Sequence, residues 1–138
     1  MIYIGSDHAG FELKRHILSI FPYFTDIGTN SQSSCDYPIY AAKLCKLVVG
    51  NKDNLGILIC GSGTGMSIAA NKHKGIRAAN CWTEEIAKLA REHNNANVLT
   101  LAARFLSTEQ TINIIKAFIS TDFSNLSRHI QRVNLLEI

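Results

Sequence analysis

No apolar run in these 138 residues reaches the length of a membrane span, and no basic or cleavable apolar leader precedes "MIYIGSDHAG". Those absences argue against a membrane partner and lead us to expect a cytoplasmic protein. No two of the four cysteines (Cys35, Cys45, Cys60, Cys81) stand in CxxC spacing. That excludes a zinc knuckle or a redox dithiol, and in a reducing compartment all four are expected as free thiols. Charge is thin as well. Lys and Arg number 14 against 11 Asp and Glu, a net +3 with no basic block of the kind that grips nucleic acid. Repeats, low-complexity tracts and linkers are missing, so 1–138 reads as one globular domain.

What is present is an alternation of short β-rich runs and helical periodicity. "MIYIG" reads as a first strand, followed by a helix from about Phe11 with Leu13, Ile17 and Ile20 on one face. "YFTDIG" reads as a second strand and "TNSQSSCDYP" as a polar loop. Pro38 then suits the first turn of a helix closed by Gly50. "LGILIC" has the continuous apolar character of a strand covered on both faces. After it come the glycine loop, a helix "GMSIAANK", a fourth strand "IRAANC", a helix opened by Thr83 as N-cap, and a fifth strand "NVLTL". A helix from Thr108 places Ile112, Ile115 and Ile119 on one stripe, and "SNLSRHIQRVNLLEI" closes the chain as a helical segment. The expected fold is α/β and Rossmann-like: a three-layer α/β/α arrangement with a five-stranded parallel sheet. Such sheets place ligands beyond the carboxyl ends of their strands. Asp7, His8, Cys60 to Gly65, Cys81 to Thr83 and Arg104 all follow strands there.

The stretch "CGSGTGM" fails three templates. A dinucleotide fingerprint from Gly61 would need glycine where Met66 stands, and the next strand ends in Cys81 rather than an acid. A Walker loop lacks its lysine. A C-x5-R phosphatase lacks its arginine, again at Met66. Two readings remain. In one, Gly61, Gly63 and Gly65 let backbone N–H groups approach an anion, and that field with the following helix N-terminus favours a thiolate at Cys60. In the other, Cys60 is a structural cysteine above a tight turn. Ser62 and Thr64 add hydroxyls to the loop.

Five motifs in order, "GSDHAGFELK", "DYP", "ICGSGTGMSIAANK", "AREHNNANVL" and "SRHIQRV", resemble those of the type B ribose-5-phosphate isomerase family, which includes the galactose-6-phosphate isomerase subunits. The resemblance covers almost the whole chain. It implies interconversion of ribose 5-phosphate and ribulose 5-phosphate through an enediolate, with a hexose 6-phosphate (allose or galactose) as the alternative substrate. A non-catalytic sugar-phosphate-binding module is the alternative of another class. It further implies Cys60 as the base moving a proton between C1 and C2, and Gly61, Ser62, Gly63, Thr64 and Gly65 as the enediolate cradle. Thr64 is counted among the catalytic groups. By the same resemblance His93 opens the sugar ring with Asp7 assisting, and Tyr37 and Asn94 contact substrate. His8, Arg104, Arg128 and Arg132 become ligands of the sugar and its phosphate. Members of the family differ in their base, some carrying a glutamate just after the loop; here Met66 fills that position, which leaves Cys60.

No metal or cofactor is expected, since "HNNAN" lacks the partners of a ligand set. His93 lies before strand five, which we expect at the opposite edge of the sheet from Cys60. A homodimer, or a tetramer built from such dimers, with sites at the subunit interface would bring the two together. Arg128 and Arg132 are spaced i, i+4 on one helix face, with His129 projecting elsewhere. Asp7 has a plainer reading as a cap for the first helix, and His8 as a strand-end histidine bonded to backbone. His16 and His73 read as solvated, Cys45 as core, and Trp82 as either pocket wall or core.

Overall fold

The apolar runs become strands sandwiched between helices, as their unbroken hydrophobicity requires. A computed structural model of the chain describes residues 1–137, leaving the last residue of the closing segment, Ile138, outside the described residues. The elements are β1 (Ile2–Ser6), α1 (Phe11–Ile20), β2 (Thr25–Asp26), α2 (Tyr37–Val48), β3 (Leu55–Cys60), α3 (Thr64–Asn71), β4 (Ala78–Asn80), α4 (Glu84–Asn94), β5 (Val98–Ala102), α5 (Thr108–Ser120) and α6 (Ser127–Leu136). The strands form one parallel sheet in the order β2-β1-β3-β5-β4. Connections run outward from β1 in one direction and from β3 in the other, so the crevice of this fold lies where β1 meets β3.

Strand alternation divides the core in two. Ile57, Ile59, Leu99 and Leu101 pack with Leu13 and Ile17 of α1, Ala87 of α4 and Ile112, Ile115 and Phe118 of α5. Leu58, Cys60 and Val98 pack with Ala41, Leu44 and Val48 of α2 and Met66 and Ala70 of α3. Each fully buried aliphatic side chain contributes about 1.5–3 kcal/mol. The three expected layers are therefore present, with β3 and β5 at their centre.

Several expected boundaries move. The second strand shrinks from 23–28 to two residues, because Phe21, Tyr23 and Phe24 form an aromatic cluster that makes a turn of 22–24, with Phe21 and Phe24 stacked at 4.8 Å. Beyond Asp26 the chain pairs with β1 through single backbone bonds but passes Gly28 at a φ of 111°. Ile20 is 48% exposed; Phe21 takes its place in the buried stripe. The second helix begins at Tyr37, with Pro38 in its first turn, and ends at Val48 before Gly50. The fourth strand is cut from 76–81 to three residues by Asn side chains. Asn97 Oδ1 accepts the Arg77 N–H at 2.8 Å, and Asn71 both accepts the Ala78 N–H (2.8 Å) and donates to the Ala78 carbonyl (3.0 Å). Thr83 caps α4 as expected, accepting the Ile86 N–H at 3.1 Å. The closing helix starts at Ser127, three residues later than "SNLSR" suggested.

Candidate active site

Parallel pairing sets three loops side by side at the carboxyl end of the sheet. Ser6 is level with Ile59 and Cys60 with Ala102, so the turns after β1, β3 and β5 emerge together. Two backbone bonds lash the glycine loop to the last of them: Ala103 N–H to the Cys60 carbonyl (2.9 Å) and Arg104 N–H to the Gly61 carbonyl (3.0 Å). Cys60 is 5% exposed and shares its apolar cluster with Met66, which is wholly buried.

The loop bends because Gly63 adopts a φ of 77° at the head of α3, a conformation that favours glycine. Its other two glycines are needed for proximity. A Cβ on Gly61 would come within 2.9 Å of Arg104 Nη1, and one on Gly65 within 2.8 Å of the Tyr37 ring. A guanidinium and a phenol thus flank the loop on its two ends. Thr64 N–H bonds to Ser62 Oγ at 3.2 Å. The N–H groups of Gly61, Ser62, Gly63, Gly65 and Met66 have no acceptor among the described residues. Five donors concentrated beside one thiol are a cradle for developing negative charge.

Asp7 and His8 stand on the β1 side of the crevice. Asp7 is 7% exposed, and its Oδ1 accepts the Gly10 N–H at 3.1 Å; Gly10, not Asp7, is the N-cap of α1, which has no side-chain cap, so this bond closes the turn before the helix rather than capping it. Its Oδ2 has no partner among the described residues and is available to a hydroxyl. His8 Nδ1 accepts the Cys35 N–H at 3.3 Å, and the Cys35 sulfur lies 3.9 Å from it. Acceptance at Nδ1 leaves Nε2 as the N–H of a neutral ring, a donor suited to an oxyanion.

Asp7, His8, Tyr37, the loop 60–65 and Arg104 are therefore brought together. His93, Asn94, Arg128 and Arg132 are not. They lie at the amino end, because α4 finishes before β5 begins and the five residues of β5 span about 17 Å. The expectation of opposite edges is corrected: β5 is an inner strand next to β3, and the separation runs along the strands rather than across them. Here the His93 ring lies 4.5 Å from that of His129. His129 projects away from the exposed face of Arg128 and Arg132, as expected, and is 5% exposed, its Nδ1 2.6 Å from Ser124 Oγ. Burial holds its pKa below the usual histidine value, helped by His93, Arg128 and Arg132 and opposed by Glu92. Arg128 and Arg132 are exposed on α6. Asn94 borders a concavity of about 410 Å³ with Arg77, Ala79 and Leu136.

The remaining cysteines divide by burial, and no disulfide joins them. Burial pushes the Cys45 thiol up to about 11 and Cys81 up to about 12. Trp82 is half exposed and stacks on Phe105 at 5.3 Å, so it is not core. Asn80, at the end of β4, belongs to none of the motifs; its only signal in the sequence is a polar residue at a strand's carboxyl end. Among the described residues no group of three His, Cys, Asp or Glu is placed to hold a metal ion, and no helix is long and apolar enough to cross a membrane.

A family model described as Ribose/Galactose Isomerase matches residues 2–136. The chain belongs to that family. Among its relatives, ribose-5-phosphate isomerase B of Mycolicibacterium paratuberculosis is 40% identical over 98% of this chain and 88% of its own length. The crystal structure of a ribose 5-phosphate isomerase from Thermotoga maritima superposes with a TM-score of 0.93 at 45% identity, covering 99% of this chain and 96% of that one. The Mycoplasma genitalium ribose-5-phosphate isomerase B, solved with bound ribulose-5-phosphate, gives a TM-score of 0.90 at 40% identity over 98% and 92%. Family members at this similarity share the three-layer architecture, so the parallel sheet expected from the sequence is that of the family.

Proposed function

We propose that this chain interconverts ribose 5-phosphate and ribulose 5-phosphate, an aldose–ketose isomerisation of the pentose phosphate pathway, as one catalytic domain in the cytoplasm. The observation that carries the reading is the Cys60 thiol beside five unpartnered N–H groups at the β1/β3 crevice. Cys60 takes the proton from C2 of the open-chain aldose and returns it to C1. The proton on O2 passes to O1, for which the Thr64 hydroxyl is a suitable donor and acceptor. Charge on the two oxygens meets the donors of Gly61 to Gly65. A placed base is worth about 10²–10⁴-fold and one aimed donor about 3 kcal/mol.

Ring opening requires a group that both gives and takes a proton, the role of His93 with Asp7 assisting. Since β5 separates His93 from Cys60 within a chain, a second subunit supplies His93 and Asn94, and the active unit is at least a homodimer. Arg104, Arg128 and Arg132 neutralise the phosphate, His8 is a hydrogen-bond donor to the sugar phosphate, and Tyr37 walls the pocket.

A coupled assay following ribulose 5-phosphate tests this reading. Turnover of ribose 5-phosphate well above that of allose or galactose 6-phosphate is expected; no turnover of the pentose would overturn it.

A further inference from the structure

The residue that ends the edge strand holds the glycine loop from below. Asn80 is the register partner of Thr100. Thr100 is wholly buried, and its hydroxyl donates to Asn80 Oδ1 at 3.1 Å. At its other end the carboxamide donates from Nδ2 to the Ser62 carbonyl at 3.3 Å. A carbonyl only accepts, so the NH₂ end must face Ser62 and the oxygen must face Thr100. The same carboxamide lies against Gly63, where an added Cβ would collide with Asn80 Oδ1 and stand 3.0 Å from Cγ.

The Ser62–Gly63 peptide carries the consequence. Across a trans peptide the carbonyl and the following N–H point in opposite directions. With the Ser62 carbonyl held toward β4, the Gly63 N–H turns away from β4. By strand order that is the side of β1, where Asp7 and His8 stand. We infer that Asn80, oriented by Thr100, is a positioning residue that aims the Gly63 N–H at an enediolate oxygen. The inference rests on the isomerase reading above.

Thr100→Val preserves the buried volume and removes only the hydroxyl, whereas Thr100→Ser retains it. Asn80→Leu removes the tether at similar size. For Asn80→Leu and Thr100→Val we expect kcat on ribose 5-phosphate to fall about ten- to a hundredfold with KM within about twofold, since only a transition-state contact is lost. Thr100→Ser should stay within about twofold of wild type. Inhibition by a phosphorylated aldonohydroxamate, whose paired oxygens copy the enediolate, should weaken by the same factor as kcat. A merely structural role would lower thermal stability without that split. Wild-type kcat in folded Thr100→Val, or equal losses of substrate and hydroxamate affinity, would overturn the role of Asn80. Thr100→Val alone decides the matter should Asn80→Leu fail to fold. If the unaltered chain did not turn over ribose 5-phosphate, the functional reading itself would fall, taking this role with it.

Discussion

In the proposed reaction the two ends of β5 carry different halves of one chemistry. At its carboxyl end stand buried Cys60 and a row of N–H groups with no acceptor among the described residues, to which the proposed function gives the carbon-bound proton and the oxyanion. At its amino end His93 and His129 pack ring to ring beside exposed Arg128 and Arg132, to which the proposed function gives the oxygen-bound protons and the phosphate. On the proposed roles, neither end alone is a complete isomerase. If the proposed roles hold, division of labour along a strand makes association a catalytic requirement rather than a matter of stability.

The sharpest way to separate the halves is to remove the base. Cys60→Ala should lower kcat by about 10²–10⁴-fold in both directions; activity within a few-fold of wild type would show that the carboxyl end is not the seat of proton transfer. His93→Ala should cost about ten- to a hundredfold with cyclic ribose 5-phosphate and far less with acyclic ribulose 5-phosphate. Equal losses both ways, with chemistry rate-limiting, would erase the distinction between the ends. Mixing the two variants tests whether the halves come from different chains. Random exchange into dimers gives half heterodimers with one intact site each, so recovery to about one quarter of wild-type activity is expected. No recovery despite demonstrated exchange would place both residues in one chain's site.

The smallest effects are on stability. The pKa of His129 is depressed by folding, so its contribution is present above the ordinary histidine value of 6.5 and is lost as pH falls below it. His129→Gln should flatten the decline of Tm below pH 6.5. Cys45 and Cys81 have raised values, so their contribution is full below the ordinary thiol value and is lost as pH climbs toward about 11 and 12. A Cys45→Ala, Cys81→Ala double variant should lose Tm less steeply than the parent above pH 9. Parallel slopes in either comparison would show that those groups do not set the pH dependence.

The two halves are also unequally legible. Cys60 and its glycines form a local strand–turn–helix unit, so residues adjacent in sequence are adjacent in space. Asp7 and His8 follow from the rule that parallel strands expose their carboxyl ends to ligands. Strand order is a different matter: nothing local in "NVLTL" says that β5 slips between β3 and β4, which is why the sequence alone points His93 to the wrong edge. "YFTDIG" alternates like a strand, but aromatic packing of Phe21, Tyr23 and Phe24 outweighs that local preference. Asn80 belongs to no motif, and its part depends on Thr100 twenty residues away meeting it across a ladder.

Asn71 has a bearing on how copies of this chain meet. Its single amide copies a neighbouring strand at Ala78, giving and receiving one hydrogen bond in the manner of a backbone pair. An edge occupied in this way cannot recruit a foreign strand at that position, which protects the protein against runaway edge-to-edge polymerisation. At the far side β2 offers only two residues. A sheet closed off at both margins leaves helix faces and loops for the proposed second subunit, surfaces from which a side chain would be delivered instead of a strand.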